Sequence, residues 1–304
     1  MKKHTILILS LVLALFLSAC TSVPSSENDK LPVSNQSSAP SEVKSTTPQE
    51  SQSIPISDVS LEEQLIFEKD GVRITVKGLA SDDFWGPGVK VLVENNSPQN
   101  ITVQTRNCSV NGLMQEPIFS CDVAAGKKAN DTIQFTDAQL ETAQISVISN
   151  IEFSLHIFNS DTWDDIMNSD IVTLNTSATG YVQTYNDKGF TVVDTGNINI
   201  IVQKLNSADS FWGSDVYVYA ENNTDADLTI QTRDVSINGF MVEPIFSCDI
   251  AAGKKAYDTI TFMETDLQDN SITDITELEL KFSIFDSDSW EDILNTDIIK
   301  ITFE

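Results

Sequence analysis

Histidine is nearly absent from this chain of 304 residues, which contains only two. One is His4, and the other, His156, falls on the polar face of its predicted strand. Zinc sites need clusters of His or Cys, and nucleophilic catalysis needs a base held beside the nucleophile. Neither spacing is present, so we expect no catalytic triad, no metal site and no cofactor.

Basic residues are also few, with 18 Lys and Arg against 45 Asp and Glu and a formal net charge of −27. Such an acidic surface repels nucleic acid and anionic lipid headgroups, so a nucleic-acid partner is not expected. We interpret the charge as a solubility feature of an exported protein rather than as a calcium trap. A calcium loop would need a Gly and a distant Glu at fixed spacing, and the acid clusters do not supply them.

Long apolar runs are missing except at residues 6–17, where the run is too short to span a bilayer. Lys2 and Lys3 precede it, and "LSAC", which ends at Cys20, follows it. This order predicts a lipoprotein signal peptide over residues 1–19, because "LSAC" resembles the bacterial lipobox. We therefore expect Cys20 to carry a lipid that holds the protein on the extracytoplasmic face of the bacterial cell membrane. The alternative is an ordinary secretory signal in which the cysteine is incidental.

Aromatic residues are missing from residues 20–58, which are rich in Ser, Thr and Pro. Such a segment cannot bury enough apolar surface to order itself, so we predict a disordered stalk. Beyond it the chain repeats itself, since "EPIFSCDVAAGKKAND" recurs as "EPIFSCDIAAGKKAYD" at an offset of 127 (243 − 116). A unit of this length is a whole domain rather than a solenoid repeat. We predict two domains, over residues 59–177 and 178–304.

Within each copy, apolar residues alternate with polar ones, which is the pattern of β-strands. Asn111-Gly112 and Asn238-Gly239 are strong signals for two-residue hairpins. The pattern predicts an all-β fold of two tandem immunoglobulin-like antiparallel β-sandwiches. One short helix is expected in each copy, at "SDTWDDIM" and "SDSWEDIL", with Asp161 and Asp288 as N-caps.

The segments "ENNSPQNITVQTRNCSVNG" and "VAAGKKANDTIQF" resemble the immunoglobulin-like domains of Firmicutes surface lipoproteins, the telokin-like, DUF4352-type modules. An Asn-rich turn, a hairpin and a Gly-Lys-Lys strand recur in that order. The resemblance covers residues 60–177 and 183–304. It implies a sandwich fold and a surface location, and it assigns no activity.

Cysteine is rare, and three of the four cysteines lie in the repeats. Cys121 and Cys248 alternate with large apolar residues, so they are expected to pack as small hydrophobes. Cys108 corresponds to Val235, so the second copy has a single cysteine and cannot close an internal bridge. In the expected hairpin register, Cys121 lies too far from Cys108 for a disulfide. We predict free, buried thiols.

Two pairs of polar residues recur across the predicted hairpins. Arg106 lies nearly opposite Glu116, and Arg233 lies nearly opposite Glu243. We expect structural ion pairs worth about 0.2–1 kcal/mol each. The apolar phase of the strand also switches beside each arginine, which predicts a β-bulge or a kink at both places.

The candidate binding residues are the aromatic pairs of "DDFWGPG" and "DSFWGSD", namely Phe84, Trp85, Phe211 and Trp212. They could form a stacking platform for a sugar or a partner protein, since Trp is enriched at binding hot spots. The alternative, which we favour, is that each ring folds back over the end of its own sandwich, because large apolar side chains are usually buried.

These observations favour a non-catalytic binding or scaffolding module at the cell envelope. Its expected partners are the membrane, through the lipid on Cys20, and an envelope protein or a glycan. Two alternatives stay open, a cell-surface hydrolase that uses a carboxylate pair and a structural spacer that has no ligand.

Overall fold

The computed structural model describes residues 59–82, 85–206 and 213–303. The signal peptide, the stalk and Cys20 lie outside the described residues. Those described consist mostly of β-strands in antiparallel sheets, with two short helices, and they belong to one compact unit, Ser51–Glu304. The prediction of an all-β protein is therefore confirmed.

The first repeat contributes ten of the described strands and one helix. They are β1 (Gln64–Lys69), β2 (Val72–Asp82), β3 (Gly86–Asn95), β4 (Ile101–Val110), β5 (Leu113–Met114), β6 (Ser120–Val123), β7 (Lys127–Gln134), α1 (Asp137–Thr142), β8 (Asn150–Asn159), β9 (Asp165–Asn168) and β10 (Val172–Asn175).

The second repeat contributes the same elements in the same order. They are β11 (Phe190–Asp194), β12 (Ile198–Asn206), β13 (Gly213–Asn222), β14 (Leu228–Ile237), β15 (Phe240–Met241), β16 (Ser247–Ile250), β17 (Lys255–Met263), α2 (Glu264–Asp269), β18 (Glu277–Asp286), β19 (Asp292–Asn295) and β20 (Ile299–Thr302).

The strands of the first repeat lie in two sheets, and those of the second repeat follow the same plan. One sheet has the order β1-β2-β3-β7, and its counterpart in the second repeat has the order β11-β12-β13-β17. The other sheet is built on β4 and β8, with β5, β6, β9 and β10 at their sides, and its counterpart is built on β14 and β18. A single parallel pair, Leu113 with Lys255, joins β5 to β17. One ten-stranded sheet therefore runs from the first repeat into the second.

Each repeat has its own apolar core, made by side chains from both of its sheets. Phe153 on β8 and Phe135 after β7 are fully buried in the first core. Leu280 on β18 and Phe262 on β17 hold the same places in the second. Burying a side chain of this size stabilises a fold by about 1.5–3 kcal/mol.

The predicted hairpins and bulges are present. Asn111 and Gly112 have φ angles of 53° and 81°, the positive values that a type I′ turn requires, and Val110 pairs with Leu113. The register of β4 against β8 shifts between Arg106 and Ser109, and that of β14 against β18 shifts between Arg233 and Ser236. Both bulge predictions are therefore confirmed.

The predicted position of the helices is wrong. The helices lie after β7 and β17 instead, and α1 begins with a capping box in which Thr136 and Gln139 cap each other. The segment "SDTWDDIM" forms the turn between β8 and β9, where the side chain of Asn159 accepts hydrogen bonds from the backbone N–H groups of Asp161 and Thr162. Trp163 then adopts a φ of 65°, which a right-handed helix does not allow. "SDSWEDIL" forms the matching turn, with Trp290 at a φ of 62°.

Candidate functional site

A cleft of about 680 Å³ lies where the two repeats meet. Its first-repeat wall consists of the end of the β4–β5 hairpin, the residues that follow it, and α1. Its second-repeat wall consists of β13, β16 and β17. Small-molecule sites in proteins have volumes of about 300–1,000 Å³, so the cleft is large enough for a ligand.

Backbone and side-chain hydrogen bonds fix the two walls relative to each other. The backbone N–H of Lys255 on β17 donates to the carbonyl of Gly112 in the hairpin turn, at 3.0 Å. The amide of Asn107, in the bulge of β4, donates to the carboxylate of Asp227 at 2.6 Å. An ion pair between Lys254 and Glu152 adds a third link.

Apolar and aromatic contacts complete the junction. Met114 of the hairpin packs against the core of the second repeat, and Tyr257 of β17 packs against the core of the first. Tyr185, between the repeats, donates a hydrogen bond to the carbonyl of Asn111 at 3.2 Å. The hydroxyl of Tyr257 accepts a hydrogen bond from the backbone of Asn186 at 2.6 Å. The cleft therefore lies within a packed interface.

The cleft is acidic. Glu116, Asp215, Asp249 and Asp258 are among its lining residues, and the described lining contains no Lys or Arg. A concave site lined by charges of one sign concentrates ions of the opposite sign. The electrostatic field of this cleft therefore favours cations.

Asp258 is a carboxyl of the cleft whose pKa is shifted by its surroundings. Burial raises the pKa of its carboxyl to about 6, and the nearby charges of Glu116 and Asp249 act in the same direction. The backbone N–H of Thr259 and the thiol of Cys248 donate hydrogen bonds to the carboxyl and oppose part of this rise in pKa. A carboxyl in this state binds a cation well, because a positive charge nearby offsets the unfavourable burial of the carboxylate.

Gln115 is a buried polar side chain in the cleft wall, and only 7% of its surface is exposed. Its amide nitrogen donates to the carbonyl of Met114, and its Oε1 has no hydrogen-bond partner among the described residues. An unsatisfied buried acceptor costs about 1–3 kcal/mol. The second repeat has Val242 at this position, buried in its core, so the fold itself does not require a glutamine here.

The three cysteines of the repeats are free and buried, which confirms that prediction. Burial raises the pKa of Cys121 to about 12 and raises that of Cys248 well above the usual value. Cys108 and Cys248 line the cleft, but a raised pKa keeps a thiol protonated and weakly nucleophilic.

Of the four predicted binding residues, only Trp85 lies within the described residues. Phe84, Phe211 and Trp212 lie outside them. Trp85 is 52% exposed and does not line the cleft.

Two other tryptophans, which were not among the predicted binding residues, are far more exposed. Trp163 and Trp290 have 75% and 73% of their surfaces exposed. Each ring stacks on a buried phenylalanine of the preceding strand, Phe158 at 5.5 Å and Phe285 at 5.4 Å between ring centroids. A positive φ at a bulky residue is strained and often marks a functional position. The two rings therefore form a matched pair of surface aromatic platforms.

The predicted arginine ion pairs are wrong. Among the ion pairs of the described residues, neither Arg106 nor Arg233 contacts a glutamate. The bulge carries Arg106 towards β8, where its guanidinium lies 2.9 Å from Nδ1 of His156. Arg233 instead donates to the side chain of Gln231 at 2.6 Å.

His156 is buried rather than displayed on a polar face. Its Nε2 lies 2.6 Å from the carboxylate of Asp165, and its ring lies 5.1 Å from that of Phe158. Both ring nitrogens are thus held by neighbouring side chains, as expected of a buried structural histidine.

Neither described helix has the length and apolar character needed to cross a membrane. Within the described ranges, no group of three or more His, Cys, Asp or Glu side chains is placed to hold a metal ion.

No protein-family model and no curated protein sequence matches the chain. Among solved structures it is similar to a red sea bream transglutaminase, with 10% identity over 77% of this chain and a TM-score of 0.22. The match spans 31% of the length of the transglutaminase. It is also similar to a protein of unknown function from Porphyromonas gingivalis W83, with 11% identity, 71% of this chain and 91% of that chain covered, and a TM-score of 0.19. These similarities are too weak to bear on function.

Proposed function

We propose that this protein is a lipid-anchored binding protein of the bacterial cell envelope and that the acidic cleft is its binding site. In this proposal each repeat is an immunoglobulin-like sandwich, over residues 59–177 and 178–304. The proposal is supported by two sheets around one core in each repeat and by a resemblance to surface lipoprotein modules. The observation that carries the binding function is the unsatisfied Oε1 of Gln115 in a cleft lined by acids.

The cleft chemistry selects a small cationic ligand that is rich in hydrogen-bond donors. Its charged groups are acceptors, and Gln115 adds one more acceptor that lacks a donor. An amine or a guanidine supplies both the charge and the donors. The ring of Tyr257, which also lines the cleft, adds an aromatic surface on which such a group can stack.

Titration calorimetry with putrescine, arginine and glucose tests this ligand class. We expect both cations to bind, with an affinity that falls as salt is added, and we expect glucose not to bind. Binding of glucose with equal affinity would show that the ligand class is wrong. If no probe bound, the cleft assignment would be wrong and the spacer hypothesis would be favoured.

Two substitutions separate the cleft from the rest of the surface. Gln115→Val copies the residue of the second repeat, so the fold should tolerate it, and Asp258→Asn removes one carboxylate. Each should weaken binding of the cation about tenfold, which corresponds to about 1.4 kcal/mol. Trp163→Ala is the matched control, because this ring lies outside the cleft, and it should leave the affinity unchanged.

The membrane anchor is tested separately. Replacing Cys20 with Ala should release the protein from the membrane fraction, since no helix in the described part of the chain spans a bilayer. A variant that stays in the membrane, together with a wild type that carries no acyl group, would contradict the anchor.

A hydrolase is the second candidate, because one observation favours it. The pKa of about 6 places the carboxyl of Asp258 where a general acid for glycoside cleavage operates, and other carboxylates line the same cleft. Turnover of aryl glycosides by the wild type, abolished in Asp258→Asn, would establish catalysis. Absence of turnover in a preparation that binds cations would favour the binding protein.

A further inference from the structure

Among the strand edges that are unpaired in the described part of the chain, one in each repeat has its counterpart at the junction. In the first repeat this edge is β7, the last strand of its four-stranded sheet, and in the second repeat it is β15, the last strand of its six-stranded sheet. The counterparts of these strands are β17 and β5, which pair with each other at the junction. The chain therefore carries a second set of the two surfaces that join its repeats.

The unpaired β7 edge closely matches the paired β17 edge. Ile118 forms a β-bridge with Gln134 at the far end of β7, and Ile245 forms the matching bridge with Thr261 on β17. The same half of each strand therefore remains available to pair with a hairpin. Lys128 corresponds to Lys255 (128 + 127), the residue whose backbone N–H binds the hairpin.

The hairpin of the second repeat displays the apolar residues that the first repeat buries. Leu113 is fully buried beside the junction, and its counterpart Phe240 is 48% exposed. Met114 packs against the second core, and its counterpart Met241 is 68% exposed. Large apolar side chains exposed side by side mark an interaction site.

The two residue types that form the ion pair of the junction also recur at the open edges, where they do not pair with each other. Lys254 and Glu152 correspond to Lys127 and Glu279 (254 − 127 and 152 + 127), and both charges are kept. Within one chain Glu279 contacts only Lys300 among the described ion pairs, at 3.2 Å. The charges at the two open edges are therefore complementary.

The residue types of the junction's amide–carboxylate bond recur with their places exchanged. Asn107 donates to Asp227, and their counterparts are Asp234 and Asn100. Within one chain Asp234 pairs with Lys281, and the amide of Asn100 donates to Asp161. One partner is still an amide donor and the other is still a carboxylate acceptor. Donor and acceptor would match again if the two open edges met.

We propose that β15 of one molecule binds β7 of a second copy of this chain, in the same geometry by which β5 binds β17 within the molecule. The backbone N–H of Lys128 would donate to the carbonyl of Gly239, with Phe240 and Met241 covered by the partner. The two surfaces are different, so the contact is heterologous and each added molecule offers a new free edge. The result is a head-to-tail row of molecules.

The contact is weaker than the internal junction. Tyr257 corresponds to Asn130 on the open edge, so its apolar contact is not repeated. Assembly therefore depends on concentration, which is highest when the molecules are confined to a membrane surface.

Cysteine cross-linking of the full-length chain tests the pairing. The chain carries Cys20→Ala, and its other native thiols are buried and do not react. Phe240→Cys and Lys128→Cys place one thiol on each open edge, at positions that match the directly paired Leu113 and Lys255. Directly paired strand residues lie within the range of Cα separations that a disulfide spans.

Mild oxidation of the two single variants mixed together should give a linked dimer and no larger species. The double variant should give a ladder of dimers, trimers and longer rows. Either single variant alone should give no disulfide-linked product. Dimers from a single variant alone, or no more product from the mixture than from either variant alone, would overturn the proposal.

Sedimentation of the chain without engineered cysteines gives an independent readout. Its sedimentation coefficient should rise with concentration, and Met241→Glu should abolish the rise without unfolding an exposed position. Lys69→Ala is the control, because it removes an exposed charge from β1, at the opposite edge of the sheet from β7. A wild type that is monomeric at all concentrations would also overturn the proposal.

Discussion

The β4–β5 hairpin of the first repeat and the β14–β15 hairpin of the second have nearly the same sequence and opposite surroundings. The first is covered by the neighbouring repeat, and the second is open to solvent. Leu113 and Phe240 differ in residue type as well as in burial, whereas Met114 and Met241 differ in burial alone. Duplication therefore copied an interface together with a fold, and only one of the two copies of that interface is used within the chain.

The largest effect is expected from substitutions that test whether the junction makes the first hairpin contribute more to stability than the second. Leu113→Ala should lower the free energy of unfolding by about 2–5 kcal/mol, because it opens a cavity in a packed region. Phe240→Ala should lower it by less than about 1 kcal/mol, because the ring is half exposed. Urea denaturation of both variants measures the difference. Equal losses would show that the first hairpin gains nothing from its neighbour.

The second prediction concerns how the stability of the protein depends on pH through Asp258, which is buried at the junction. Its pKa is about 6 in the folded protein, above the usual 3.8, so the folded state binds this proton more tightly than the unfolded state does. The contribution of this group to the free energy of unfolding is therefore largest below about pH 4. It falls as the pH rises through about 6, by at most about 3 kcal/mol.

Asp258→Asn should remove this contribution. The difference in free energy of unfolding between wild type and variant should change between pH 4 and pH 7, with the variant relatively more stable at the higher pH. Urea titrations across this range measure it. Parallel curves for the two proteins would contradict the raised pKa.

The smallest change in stability is expected when Gln115 in the cleft wall and Val242, the matching residue of the second repeat, are each replaced by the other residue type. Val242→Gln should destabilise the protein by about 1–3 kcal/mol, because it buries a polar amide in the second core. Gln115→Val should stabilise it by about 1 kcal/mol, because it removes an unsatisfied acceptor. Thermal melting in the absence of ligand checks both signs. A loss of stability in Gln115→Val would mean that the glutamine supports the fold.

Features that depend on residues close together in the sequence could be predicted. The Asn111-Gly112 turn, the bulges beside Arg106 and Arg233 and the burial of the cysteines all follow from local pattern, and the structure confirms them. The helix at "SDTWDDIM" was wrong for a local reason. The acidic residues that cap helices also suit tight turns, and only the positive φ of Trp163 separates the two.

The cleft could not be predicted, because its walls come from residues 107–143 and 215–261, which meet only when the repeats pack together. Positions where the copies differ were the one available signal. Two such positions hold Gln115 in place of Val242 and Tyr257 in place of Asn130. Gln115 and Tyr257 both lie at the junction. A difference between copies shows that a position has a special environment, but not which residues share it.

The ten-stranded sheet also has a mechanical consequence. It passes from one repeat to the other through one backbone pair, Leu113 with Lys255, whereas β4 and β8 are joined by eight pairs. We expect tension between a membrane anchor and a load on the second repeat to break this narrow connection first. The repeats would separate while both cores stayed folded, and the segment between them, residues 176–189, would extend to at most about 50 Å. The junction would then act as a reversible extension that protects the domains from unfolding.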